Sequence, residues 1–125
     1  MASEGYHEPI ELLSPEVMER HRAIISLREE LEAVDWYDQR VAATDDPELG
    51  EILAHNRDEE KEHFAMVLEW LRRRDPKLDE VLRTYLFSTD DLLEVEEVAE
   101  HGGSGPSGEG SLDIGGLRDE TGGQL

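Results

Sequence analysis

Apolar residues recur at steps of three and four along two stretches of the chain, and proline-bearing turn signals separate them. The first stripe runs Ile24, Leu27, Leu31, Val34 and Val41, with Tyr37 on the same series. That period places one face of a helix against a neighbour. The second runs Leu49, Ile52, Asn56, Glu60, His63, Val67, Trp70 and Leu71, so its middle is polar where its ends are apolar. Glu30 interrupts the first stripe between Leu27 and Val34.

Start and stop signals bound the elements. Ser14, Pro15 and Glu16 supply a capping side chain, a proline where no amide donor is needed, and an acid near the positive end of the dipole. No glycine or proline follows until past Ala43, and good helix formers dominate. Asp46, Pro47 and Glu48 repeat the signal and predict a second helix from Pro47 to about Arg74. Asp75 and Pro76 open a shorter third helix ending near Leu86. The connection around Thr44 and Asp45 is only a few residues, so the first two helices fold back as an antiparallel hairpin.

The predicted fold class is all-α. Residues 1–13 form an N-terminal arm and residues 14–88 the helical hairpin domain with its short third helix. Residues 89–110 are an acidic segment, DDLLEVEEVAEH, followed by the flexible GGSGPSGEG, and residues 111–125 form a C-terminal peptide. Two helices alone cannot cover both stripes. At least a dimer is expected, in which two hairpins build a four-helix bundle.

Composition narrows the class. The 125 residues hold no cysteine, which excludes disulfides and fits a reducing compartment. No run approaches a membrane span, and the start MASEGYHEPIELL lacks the regions of a signal peptide, so a soluble cytoplasmic protein is expected. A folded part this small buries only about 60% of its unfolded surface and commonly recruits a partner subunit or a metal. The net charge of -20, from 32 acidic against 12 basic residues, repels nucleic acid and anionic lipid and concentrates cations. A solvated acidic surface explains the charge equally well.

The polar interruption carries the candidate chemistry. Glu60-x-x-His63 puts a carboxylate and an imidazole about 5 to 6 Å apart on one helical face, where both can hold one cation. Glu4 and His7 repeat the spacing in the arm, with no apolar stripe around them. Carboxylates buried without a partner cost several kcal/mol, and no basic residue falls on the stripe beside them. Dinuclear carboxylate proteins of the ferritin type take a Glu from each of two helices and an E-x-x-H from two more. One hairpin supplies Glu30 and the Glu60–His63 pair, so two hairpins complete the set across the dimer axis. Two other readings stand beside this one. Glu30, Asn56, Glu60 and His63 form a hydrogen-bonded layer that fixes register, or the stripe is displaced by a residue and they face water. Tyr37 reaches the metals or packs as core. Glu29 and Glu32 flank Glu30 and either pass cations inward or solubilise the helix. Trp36 and Trp70 read as interface or core residues, and His21 and His55 as isolated. In the tail, Leu112, Ile114, Leu117 and Arg118 are apolar knobs and one charge among glycines, a pattern that docks into a partner's groove or is simply a disordered end.

The runs EELEAVDWYDQR (Glu29 to Arg40), ILAHNRDEEKEHFAMVLEWLRR (Ile52 to Arg73) and LRTYLF (Leu82 to Phe87) resemble the encapsulated ferritins, over roughly His7 to Ser88. The resemblance implies a hairpin that rebuilds a ferritin-like four-helix bundle on dimerisation, with the homodimers assembling into an open decameric ring. It implies a di-iron ferroxidase centre at the dimer interface. Glu30, Glu60 and His63 of both chains would be its ligands, with Tyr37 close by. A metal-uptake site outside the centre would match Glu29 and Glu32, near Trp36. The tail LDIGGLR is similar to the peptide by which such cargo binds the inner wall of an encapsulin shell, with Gly116 where serine is frequent. The implied activity is oxidation of Fe(II) to Fe(III) by dioxygen, with iron delivered for storage inside an encapsulin nanocompartment. A di-manganese or mixed-metal oxidase and a non-catalytic helical assembly protein are the alternatives.

Overall fold

The computed structural model describes residues 5–102, and every regular element among them is helical. A single 3-10 turn, Ile10–Leu12, precedes the long helices. The Tyr6 ring in this arm lies 4.7 Å from the His21 ring on the first helix.

Helix α1 spans Pro15–Ala43 and α2 spans Pro47–Arg74. Both begin as their sequences dictate. Ser14 Oγ accepts from the Val17 amide at 3.1 Å, and Asp46 Oδ1 accepts from Glu48 and Leu49 amides at 2.9 and 3.1 Å. Each cap satisfies donors that have no partner inside the helix. The Asp46 amide donates back to Thr44 Oγ1 at 3.2 Å, which tightens the three-residue connection. At the far end of α2, Arg72, Arg73 and Arg74 face the negative pole of the dipole. The two helices, each about 43 Å long at 1.5 Å per residue, pack against one another as the hairpin.

This hairpin has almost no interior. Leu71, 6% exposed, is the one buried residue among the described residues, whereas Ile24 and Leu31 are each 50% exposed. Leu49, Ile52 and Met66 are also exposed. A single layer of two helices has two open faces, and apolar residues stand on both.

From Pro76 the chain forms a separate unit. Helix α3 spans Pro76–Tyr85, one residue short of the expected end. It stops because Phe87 adopts a left-handed backbone, φ 65°. The Leu86 amide still reaches Leu82 O at 2.9 Å, and Ser88 returns to Tyr85 O through its amide at 3.2 Å and its hydroxyl at 2.7 Å. The acidic segment is helical: α4 spans Leu92–Glu97 and continues as one π turn, Val98–Gly102. Burial, then the charges of Glu96 and Glu100, push the Tyr85 hydroxyl above its ordinary pKa.

No helix among the described residues is long and apolar enough to cross a membrane. Leu112, Ile114, Leu117 and Arg118 lie outside the described residues.

Candidate metal centre

Glu30 sits at the middle of α1, and Glu60 and His63 one turn apart at the middle of α2. The hairpin therefore folds its three interrupting residues to one level. One ligand atom from each lies within 4.8 Å of the other two. His63 Nδ1 is 3.3 Å from Glu60 Oε1 and 3.5 Å from Glu30 Oε1. The carboxylates are three-quarters covered, at 27% and 24% exposure, and the imidazole is 45% exposed.

Electrostatics follow from this crowding. The hydrogen bond with Glu60, then burial, then the Glu60 charge raise the Glu30 pKa, and His63 opposes them only in part. Burial alone would lower the His63 pKa. The hydrogen bond to Glu60 and the charges of both carboxylates outweigh it, and the net shift is upward. Both groups thus hold protons more tightly than ordinary ones, at the position where a cation would replace them. Binding a cation releases those protons, so it is favoured as pH rises. Two carboxylate oxygens and one imidazole nitrogen suit a divalent transition ion and leave coordination positions open.

The other sequence candidates fall around this group in different ways. Asn56 is half-buried, and its side chain makes no hydrogen bond with another described residue. Tyr37 is half-buried two turns beyond Glu30, with the Arg40 guanidinium 5.2 Å from its ring centre. Glu29 and Glu32 are exposed on α1 and belong to no three-ligand group within the described residues of one chain. Trp36 is exposed beside them.

His63 pairs with both Glu30 and Glu60, and a second basic residue enters the hairpin near the site, off the ligand stripe. Arg57, one turn before Glu60, donates to Asp38 on α1 at 2.9 Å and to Asp58 at 3.1 Å. These two acids, Asp58 first, raise its pKa. The charge is thereby engaged away from Glu30 and Glu60. Its place three residues before Glu60 was the sequence signal, but the partner on α1 follows only from how the helices align.

With the geometry in place, comparison with known proteins is informative. The profile of the EncFtn-like family matches residues 5–89. The encapsulated ferritin-like protein of Rhodospirillum rubrum is 56% identical over 129 aligned positions, covering 96% of this chain and 92% of that protein. The encapsulin nanocompartment cargo protein EncC of Myxococcus xanthus is 38% identical over 53 residues, covering 42% of this chain and 41% of that one. Among solved structures, protein ne0167 of Nitrosomonas europaea superposes with a TM-score of 0.68 at 64% identity, covering 70% of this chain and 97% of that chain. A family match across more than half of the sequence, together with a relative aligned nearly end to end, settles the assignment: this chain belongs to the EncFtn-like family.

Proposed function

We propose that the chain is a ferroxidase that oxidises Fe(II) to Fe(III) with dioxygen at a centre shared by two copies, and that it works as cargo of an encapsulin shell. The observation that carries this reading is the convergence of Glu30, Glu60 and His63 within 4.8 Å on a hairpin too thin to bury them. One chain offers half of the ligand set known from ferritin-type dinuclear sites. A second copy applied to the same face supplies the other half. Four carboxylates then neutralise two divalent ions, and the apolar residues flanking the site are covered.

Iron is the substrate, and bound Fe(II) supplies the electrons that dioxygen accepts. The chain's residues do the rest. Glu30 and Glu60 bind an ion together only when both are ionised, and with the raised pKa of Glu30 that state is easier to reach as pH rises. His63 Nδ1 faces the carboxylates, so it is the nitrogen that would bind the ion and must be unprotonated to do so. Hard carboxylate oxygens favour Fe(III) over Fe(II), which drives oxidation forward. Tyr37 lies two turns along α1 from Glu30, and Glu29 with Glu32 would offer incoming cations an exposed acidic approach. Homodimers arranged as an open decameric ring would enclose no sealed cavity, so the product passes to the shell lumen for storage.

The test of the chemistry is to load the apoprotein with Fe(II) anaerobically, admit oxygen and follow the near-ultraviolet ferric absorbance. Wild type should oxidise iron well above the buffer rate, and a Glu60→Ala, His63→Ala variant should fall to it, a loss of about 100-fold or more. Coinciding traces from an assembled variant would remove the enzymatic reading.

Docking rests on Leu112, Ile114, Leu117 and Arg118. On co-expression with the shell protein, a chain lacking residues 111–125 should remain outside the shell. Equal packaging of the truncated and full chains would contradict tail-directed docking.

A further inference from the structure

A hairpin with almost no interior must fix the level of its two helices by other means than apolar packing. Leu71 alone is buried among the described residues. The connection at residues 44–46 pins α1 to α2 at one end, but Glu30 and Glu60 both stand about 20 Å along the helix axes from it, at 1.5 Å per residue. Over that length two thinly packed helices can splay or turn about their axes. The ligands need closer control, since a carboxylate of α1 meets a carboxylate and an imidazole of α2 within 4.8 Å.

Arg57 lies between the turn and the ligands, and its guanidinium is held on two sides. Nε donates to Asp58 Oδ1 of its own helix at 3.1 Å, which fixes the side-chain rotamer. Nη1 then donates across to Asp38 Oδ1 on α1 at 2.9 Å. Asp58 is itself 3.4 Å from Lys61 Nζ, one turn further along α2. Arg57 is only 22% exposed, and the planar fork of arginine aims two donors in set directions, which a lysine here would not. A second pair across the helices, His63 Nδ1 with Glu30 Oε1 at 3.5 Å, is made by the ligands themselves and gives way when a cation takes their place. The Arg57 and Asp38 pair uses no ligand, so it persists whether or not the site is filled.

We propose that Arg57 is a positioning residue: by bridging Asp58 on α2 and Asp38 on α1, it holds Glu60 and His63 facing Glu30 before any cation arrives. A partly exposed ion pair contributes little to global stability. Its effect here is on alignment. Chains whose ligands stand apart must be drawn together on binding, and the apparent affinity falls by the fraction that is misaligned. The bond to Asp38 removes such conformers in advance. This rests on the reading of Glu30, Glu60 and His63 as a metal centre, and not on which reaction that centre serves.

The experiment titrates Co(II), whose visible absorption reports its ligands, anaerobically into full-length wild type, Asp38→Ala, Arg57→Gln and the double variant. Helicity, thermal midpoint and assembled mass are measured on the same samples. Each single change should weaken cobalt binding about fivefold or more with helicity and mass unchanged. The double variant should be no weaker than either single, because two residues that act through one bond lose it once. Asp38→Ala trims an exposed side chain to the best helix former, so it decides the matter if Arg57→Gln fails to fold. For iron oxidation, KM for Fe(II) should rise by the same factor while kcat changes by less than about twofold. A merely structural contact would lower the thermal midpoint and leave cobalt affinity and KM alone. Single variants that bind cobalt as wild type does, or losses that add in the double variant, would overturn the proposal. A Glu60→Ala, His63→Ala control separates the two readings. Cobalt binding that survives in this control overturns both the metal centre and the positioning role. Binding lost in the control but unchanged in Asp38→Ala overturns the positioning role alone. Cobalt affinity that follows the Arg57 bond in a protein that oxidises no iron upholds the positioning role and sinks the ferroxidase reading.

Discussion

Glu30 and Glu69 are the same residue type on neighbouring helices, and their neighbours push them in opposite directions. Glu30 faces another carboxyl group, and the hydrogen bond and charge of Glu60 help hold its pKa up. Glu69 lies between guanidinium groups: Arg72 donates to it at 2.7 Å and Arg73 at 2.8 Å. Those contacts, Arg72 first, lower it from 4.5 to about 2. The first arrangement invites a cation, and the second already has two. A depressed carboxylate stabilises the fold fully above its unfolded pKa of 4.5, and that contribution disappears as pH falls through about 2. Much of the shift is screened because the side chain is 40% exposed. Thermal unfolding of the metal-free chain between these pH values should show wild type losing stability more steeply than Glu69→Gln. Parallel curves would show that the Arg72 and Arg73 contacts do not persist in solution.

At the scale of elements, the caps made the helices readable. Ser14-Pro15-Glu16 and Asp46-Pro47-Glu48 fixed both starts to the residue, because a capping oxygen and a proline at the first turn have few other uses. The level of Glu30 with Glu60 and His63 was readable too, since a three-residue turn leaves little freedom in how two long helices align. Other features depended on three dimensions. Periodicity assigned Ile24 and Leu31 to the hairpin stripe, yet each is half-exposed. A helix with two apolar faces blurs into one broad stripe when only its period is read. Arg57 was missed as a cross-helix link because the position of Asp38 relative to it depends on packing rather than spacing. Glycine-free acidic sequence after Ser88 left the helicity of α4 open, and its contact with α3 supplies what local propensity did not.

The molecule as a whole is defined by what it lacks within one chain. Hydrophobic burial dominates the stability of small domains, yet Leu71 alone is buried among the described residues. Apolar residues exposed on both faces of the hairpin and a three-residue group able to hold a metal ion are the features that a second copy would cover. On the function proposed above, metal chemistry and assembly are linked through the same hairpin, because a second copy would complete the ligand set that Glu30, Glu60 and His63 begin. The most direct test is a crystal of the iron-loaded protein measured above and below the iron absorption edge. Anomalous peaks should lie between Glu30, Glu60 and His63 of two copies related by a two-fold axis, with both copies contributing ligands. Iron bound elsewhere, or held at this site by a single chain with no second copy facing it, would contradict the account.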